Sequence, residues 1–394
     1  MSSPTRDPSR ASRASPTRPP QTLEIFAHPP TPNPDPHPQT VQGTALETRG
    51  EVTATCYDTS GTRMATCTTQ GAIHVWDRVD GPDGAPGTWR QTAAWAAHRS
   101  ACRAVAFAGA EFGRCLASSS DDGTICLWRE SVRAPGAAAA AAATAAAEDG
   151  SSEWERCAQL RDSSKPVTRL AFAPADHGLQ LAAAGDDGAV RFYSPADQLA
   201  LHQWELCNES EALRPGAACS GVAWRVPNAA VPDADRFDGP EGTNPRQDIP
   251  TLAVALRWPD GANDARVLCY DEAGMRWRVS GRVYEGPAEV NALAWSPVTR
   301  AGEPETIALA LGADVGLFRM DGRALMDDGS SGAGSESPRA ALDATLHHPA
   351  RVVGLDWNSV GNTLATSAED GRVRLWSANA LDGTWETQAQ LVGE

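Results

Sequence analysis

The chain is almost without lysine: Lys165 is the only one among 34 basic residues. It precedes Pro166 in a connecting segment, so there is no GxxxxGK phosphate loop and no lysine placed for Schiff-base chemistry. GxSxG, HExxH and EF-hand patterns are missing too, which removes the common hydrolase, metalloprotease and calcium-site readings. No run of about 18 apolar residues exists, so no membrane-spanning helix and no membrane insertion are expected. A charged, apolar, small-residue leader is also lacking. The nine cysteines contain no CxxC pair, and several, such as Cys56, Cys67 and Cys126, fall at strand positions. They read as reduced thiols in a core, as in the cytosol or nucleus. Of eight histidines, His28 and His37 lie in a Pro-rich arm and His347 adjoins His348; none pairs at metal spacing, so no metal or cofactor is expected. Fifty acidic residues against 34 basic ones give a net charge of −16, which repels phosphate backbones and argues against direct nucleic-acid binding.

What the chain does have is tryptophan, 13 against seven Phe and four Tyr, and a repeat that uses it. Residues 1–40 stand apart. Dense in Pro, Ser, Thr and Arg, they hold too few large apolar groups to offset ordering entropy and read as a disordered arm. Four Arg among the first 18 residues suit a transit peptide, but repeated prolines prevent the amphipathic helix such a peptide forms.

Residues 41–394 carry six copies of one unit. Its best-preserved copy, His98 to Glu130, holds three short alternating segments and an Asp121-Asp122-Gly123 turn. The first strand, a, is VTATCY, CRAVAF, VTRLAF, CSGVAW, VNALAW or VVGLDW, ending at Tyr57, Phe107, Phe172, Trp224, Trp295 or Trp357. The second, b, is built from small residues: MATC, LASS, LAAA, LAVA, IALA or LATS. The third, c, ends at Trp76, Trp128, Tyr193, Tyr270, Phe318 or Trp376. Six residues before those aromatics stand Gln70, Asp122, Asp187, Asp264, Gly312 and Asp370. This is the WD-repeat pattern, and it predicts an all-β, six-bladed β-propeller. Small residues suit strand b, where adjacent blades pack face to face. Insertions at about 131–152, 227–250 and 327–338 read as surface excursions.

A fourth strand, d, should close each blade, with candidates at 91–95, 156–160, 202–207, 279–283, 341–346 and 385–391. A seventh candidate, Thr44–Thr48, precedes the first unit. Six copies of a, b and c against seven of d imply either an idle strand or the outer strand of a seventh blade whose inner three strands are missing. An unfilled slot between blades 1 and 6 would expose strand edges and apolar faces, to be covered by strand addition from another chain. The candidate partner-binding residues are therefore Thr44, Ala45, Leu46, Glu47, Thr48, Val52 and Thr53 on one side, with Trp385, Thr387, Ala389 and Leu391 on the other.

His98, Ser118, Asp122 and Trp128 could be mistaken for a Ser/His/Asp triad. In a WD blade they form a structural chain, Trp to Ser to His to Asp, that fixes blade geometry. His348, Asp370 and Trp376 repeat it in the sixth unit, whereas Thr48 and Ser163 replace the histidine in units 1 and 3. No convergent acid, base or nucleophile remains, so no enzymatic activity is expected. A peptide reader at the narrow central mouth would need aromatic groups beside Arg103, Arg169, Asn291 and Arg351, and few are present.

RMATCTTQGAIHVWD (63–77), AEFGRCLASSSDDGTICLW (110–128), the segment from Phe172 to Leu206 and TLATSAEDGRVRLW (363–376) resemble the Seh nucleoporins, relatives of the COPII coat propeller of the Sec family. AVRFYSPADQLALHQWEL and the blade 5 ending ADVGLF look like Seh rather than its coat relative. The resemblance implies an open six-bladed propeller completed in trans by an α-helical scaffold nucleoporin that inserts a three-stranded β-blade. It also implies membership in the Y-shaped outer-ring complex of the nuclear pore. The same propeller serves in a GATOR-type complex at lysosomal or vacuolar membranes. The Pro-rich arm, the alanine tract near 137–147 and Thr48 depart from the family pattern.

Overall fold

The computed structural model describes residues 22–25, 39–40, 44–80, 87–131, 153–197, 201–210, 216–226, 249–258, 261–297, 305–320, 340–379 and 383–392. The three insertions, apart from Ser131, Ile249 and Pro250, and most of the arm lie outside these. Among the described residues all regular structure is strand, save two single 3-10 turns, Ala110–Phe112 and Ala175–His177.

Six blades of four antiparallel strands follow one another along the chain, each in the order a-b-c-d, and the sixth sheet carries Gln39–Thr40 as a fifth, parallel strand. Strands a are Val52–Tyr57, Cys102–Phe107, Val167–Phe172, Ala218–Trp224, Val290–Trp295 and Val352–Trp357. Strands b are Arg63–Thr68, Cys115–Ser120, Leu181–Gly185, Thr251–Arg257, Glu305–Leu311 and Thr363–Ala368. Strands c are Ala72–Val79, Ile125–Ser131, Val190–Pro195, Asn263–Asp271, Asp314–Met320 and Arg372–Ala378. Strands d are Thr88–Ala96, Glu153–Leu160, Trp204–Glu209, Arg276–Gly286, Ala340–His347 and Trp385–Val392. The chain is an all-β, six-bladed propeller.

Glycine permits the b–c turns. Gly123 has φ +78°, and a Cβ there would stand 2.5 Å from the Ser163 carbonyl oxygen of the blade 2–3 connection. Blade 4 departs from the expected register. Asp264, aligned by spacing with the turn aspartates, instead lies inside strand c, opposite Leu256, where its carboxylate accepts from Arg266 Nε at 2.8 Å.

Each junction from blade 1–2 to blade 5–6 has its own apolar core. Ala65, Cys67, Ile73 and Val75 of blade 1 pack with Cys102, Val105 and Phe107 of blade 2. Equivalent clusters join blades 2–3, 3–4, 4–5 and 5–6. The aromatic ending strand a belongs to the core shared with the preceding blade. In two blades it also reaches back by hydrogen bond: Trp224 Nε1 donates to the Ala171 carbonyl (3.0 Å) and Trp357 Nε1 to the Ala294 carbonyl (3.4 Å). Buried ions staple the same junctions. Glu130 of blade 2 accepts from Arg63 of blade 1 (2.7 Å) and from Arg114 (2.8 Å). Glu305 of blade 5 takes the guanidinium of Arg225 from blade 4 at 2.7–2.9 Å and the Trp295 indole at 3.1 Å.

Candidate functional site: the junction of blades 1 and 6

The sixth junction lacks what the other five have. Innermost strands of successive blades lie side by side from blade 1 through blade 6, but those of blades 6 and 1 share no packing of that extent. Among the described residues, the one apolar cluster on this side of blade 1, Leu46 with Met64, Trp76 and Trp89, contains no residue of blade 6. Tyr57 occupies the place that Trp224 and Trp357 hold in their blades, but across the junction it meets only the charge of Asp356 in strand a of blade 6, and burial together with that charge raises its phenol above the ordinary range. It is 47% exposed, touches Trp89 edge-on at 5.8 Å, and makes no hydrogen bond among the described residues.

The two walls of the junction differ. On blade 6, Leu364, Thr366, Ala368, Arg374 and Trp376 are buried on the face toward blade 5, while the alternate residues Thr363, Ala365, Ser367, Val373 and Leu375 are only half-buried. That alternation is the period of a strand with one face covered. By contrast, strand b of blade 1 is buried on both faces from Met64 to Thr68. His74 and Trp76 of its strand c are buried as well. Coverage stops at strand a, where Thr55 and Tyr57 are exposed.

Part of that cover is the chain's own N-terminal segment. Thr44–Glu47 is a strand lying beside strand d of blade 1, as the d strands of blades 3, 4 and 5 lie beside one another. Its Leu46 is 2% exposed on Met64, Trp76 and Trp89. It pairs antiparallel with Thr22–Ile25, Thr22 opposite Glu47 and Ile25 opposite Thr44. Gln39–Thr40 pairs in parallel with Leu391 and Val392 on the outer edge of blade 6. Composition reads residues 1–40 as a disordered arm, yet these two short strands fall within it. The TLEI run supplies an alternating apolar pattern too short to register against the surrounding prolines.

Of the residues expected to line the slot, Leu46 is buried on Met64, Trp76 and Trp89, Leu391 is buried opposite Val373, Ala389 is half-buried opposite Leu375, and Thr48, also buried, donates Oγ1 to the Gly50 carbonyl at 3.1 Å. Thr44, Ala45 and Glu47 belong to the added strand, and Val52 is half-buried at the start of strand a. Three assignments are corrected. Thr53 Oγ1 meets the Cys102 carbonyl at 2.6 Å, so it turns to blade 2. Trp385 packs against Trp357 at 5.9 Å in the core shared with blade 5, and Thr387, paired with Trp376, shares that face. The cause is a bulge between Leu375 and Trp376, which shifts the face of every residue before Ala389. The wall residues Tyr57, Ala365, Val373 and Leu375 were not singled out from sequence. Tyr57 could have been, from its equivalence to Trp224 and Trp357 in the repeat.

The polar network of blade 2 is buried. Trp128 Nε1 donates to Ser118 Oγ at 2.9 Å, and His98 Nε2 lies 2.8 Å from the same oxygen. His98 Nδ1 meets Thr124 Oγ1 (3.2 Å), whose hydroxyl donates to Asp122 at 2.6 Å. The expected direct His–Asp contact is thus replaced by a relay through Thr124. Burial drives the His98 imidazole down to about 4, with Asp122 opposing and Arg156 reinforcing the shift. In blade 6, Trp376 Nε1 (3.0 Å) and His348 Nε2 (2.8 Å) both meet Thr366 Oγ1. Asp370, expected to continue that chain, instead pairs with Arg374 at 2.6 Å, and this guanidinium holds its carboxyl below the ordinary range. Blade 3 makes the same exchange, Arg191 to Asp187 at 2.7 Å. These groups bond one another and hold the turns. Among the described residues no group of three or more His, Cys, Asp or Glu could hold a metal ion.

Comparison with known proteins fits this architecture. Residues 89–129 and 342–377 match the WD domain, G-beta repeat family. The Xenopus laevis protein Nucleoporin SEH1-A is 30% identical over 341 residues, covering 86% of this chain and 84% of that one. Nucleoporin SEH1 of Homo sapiens is 29% identical over 340 residues, with coverages of 86% and 84%. Among solved structures, Saccharomyces cerevisiae Sqt1 superimposes with a TM-score of 0.51 at 13% identity, over 89% of this chain and 76% of that one, a likeness of fold alone. Thirty per cent identity over 86% of this chain and 84% of that relative places the chain in the SEH1 nucleoporin family.

Proposed function

We propose that this protein is a non-enzymatic scaffold subunit of the nuclear pore. In this reading it sits in the outer-ring (Y) complex and binds an α-helical nucleoporin that donates a β-blade between blades 6 and 1. It thereby supports transport of RNA and protein across the nuclear envelope. The observation that carries the reading is the sixth junction. Five junctions have apolar cores, and the sixth presents the half-buried Ala365, Val373 and Leu375 opposite the exposed Tyr57. A sheet face of this kind gains from a partner strand both backbone pairing and apolar burial.

The experiment is affinity capture of the tagged chain from its own cells, with the captured proteins identified by mass spectrometry. It is run in parallel on Leu375→Arg, which places a charge on the blade 6 wall. A helical nucleoporin captured by the unaltered chain and lost with Leu375→Arg is the expected result. Capture of GATOR-type or coat subunits instead would move the same architecture to TOR signalling or vesicle formation. Capture that ignores Leu375→Arg would refute the slot.

A further inference from the structure

We propose that Asp356 determines which partner the sixth junction accepts: the strand that comes to lie beside strand a of blade 6 must present an arginine or lysine to this carboxylate. The inference rests on the proposed function, since it states what the incoming strand must carry.

The repeat isolates this residue. Asp356 stands just before the aromatic that ends strand a, and in the other five blades that place holds Cys56, Ala106, Ala171, Ala223 or Ala294. The first four pack in the apolar cores shared with the following blade. Ala294 is buried as well, and the Ala171 and Ala294 carbonyls accept the indoles of Trp224 and Trp357 from the blade that follows. The place therefore meets the next blade around the ring, and it is small and uncharged wherever that blade belongs to this chain. In blade 6, where the next place is the open junction, it is an acid.

Orientation and surroundings agree with this. Leu355 and Trp357 pack in the core shared with blade 5, so strand alternation turns Asp356 to the junction, opposite Ala365 and on the face that carries Val373 and Leu375. It makes no ion pair among the described residues. Arg63 and Arg374, cations of the two flanking blades, are held on their other faces by Asp77 with Glu130 and by Asp370. Burial by the surrounding protein already raises the Asp356 carboxyl above its ordinary range, although solvent still reaches it. An inserted blade removes that solvent. Closing over a lone carboxylate is costly, whereas a blade that brings a cation recovers the cost through the ion pair. A partner with an apolar residue there is disfavoured, so the acid contributes selectivity as well as affinity.

The helical nucleoporin, co-expressed and purified, is titrated against the full chain and against Asp356→Asn, Asp356→Ala and Asp356→Glu. Loss of the charge should weaken binding about tenfold or more in the Asn and Ala variants, while Glu retains most of it. Asp356→Ala restores the residue type of the other blades, so an acid that is only tolerated on this wall predicts equal or tighter binding, and that result would overturn the inference. Arginines and lysines of the partner's inserted strands are then changed singly to Ala, alone and against Asp356→Ala. One of them should lose about tenfold against the native chain and nothing further against the variant; losses that all add independently refute the pair. The thermal midpoint of the free chain should not fall in Asp356→Ala, since a fall would assign the carboxylate a partner within the chain. Leu375→Arg in the same titration separates the two claims. If it has no effect, the slot itself is wrong; if it abolishes binding while the Asp356 variants bind as the native chain does, only the role of Asp356 fails.

Discussion

Lowering the pH should weaken the fold through one identifiable histidine. His98 is buried, with both ring nitrogens engaged by hydroxyls, Nε2 by Ser118 and Nδ1 by Thr124. Burial holds its folded pKa at about 4, against about 6.5 in the unfolded chain. Between those values the unfolded state binds a proton that the folded state refuses, so stability falls as pH falls through this window. The contribution is fully present above about pH 6.5. At about 1.4 kcal/mol per pH unit it amounts to about 3 kcal/mol lost by pH 4. Carboxylates such as Asp122 and Glu130, held below their ordinary values by Thr124 and by Arg63 with Arg114 against the opposing effect of burial, also lose stabilisation in acid. The measurement must therefore be a difference. Urea midpoints of the native chain and of His98→Gln are recorded from pH 7.5 to pH 4.5 with identical buffers. The native chain should lose its advantage over the variant steadily below about pH 6.5. A gap that stays constant would mean that His98 titrates normally when folded, and the buried neutral imidazole would be refuted.

Two further outcomes follow from the junctions. Glu305→Ala removes the buried carboxylate that takes both the Arg225 guanidinium and the Trp295 indole between blades 4 and 5 and should cost about 2 kcal/mol in denaturant unfolding. A loss below about 0.5 kcal/mol, the range of an exposed pair, would assign the staple no structural weight. All nine cysteines are free thiols, and Cys207 alone is exposed, while burial pushes Cys115 and Cys219 up to about 12. An alkylating reagent at pH 7.5 should label Cys207 first in the native chain and all nine after unfolding; rapid native labelling at strand b or c positions would contradict the packed junctions.

Much of the architecture is a local property of the sequence. Strand alternation, a terminal aromatic and a b–c turn recur six times, and each is encoded within a few residues, so the blades and their order can be read directly. The surplus strand at Thr44–Thr48 could be counted for the same reason. Local pattern does not say which face a residue meets after a bulge, and so Trp385 and Thr387 turn to blade 5 rather than to the slot. It does not say how a buried aspartate finds its counter-charge either: Thr124 relays for Asp122 and Arg374 takes Asp370, because side-chain reach across the folded turn decides the partner. Least legible was the arm. TLEI is four residues among prolines, without a repeat or a turn to announce it, and it becomes a strand only where a distant edge offers it backbone partners. The sequence by itself determined the blades and that one strand was left over. The tertiary structure decided which wall of the sixth junction the chain covers itself and which it leaves bare, because burial there depends on Leu46 docking on Met64, Trp76 and Trp89 and on Gln39–Thr40 pairing with Leu391 and Val392, contacts that no local pattern encodes.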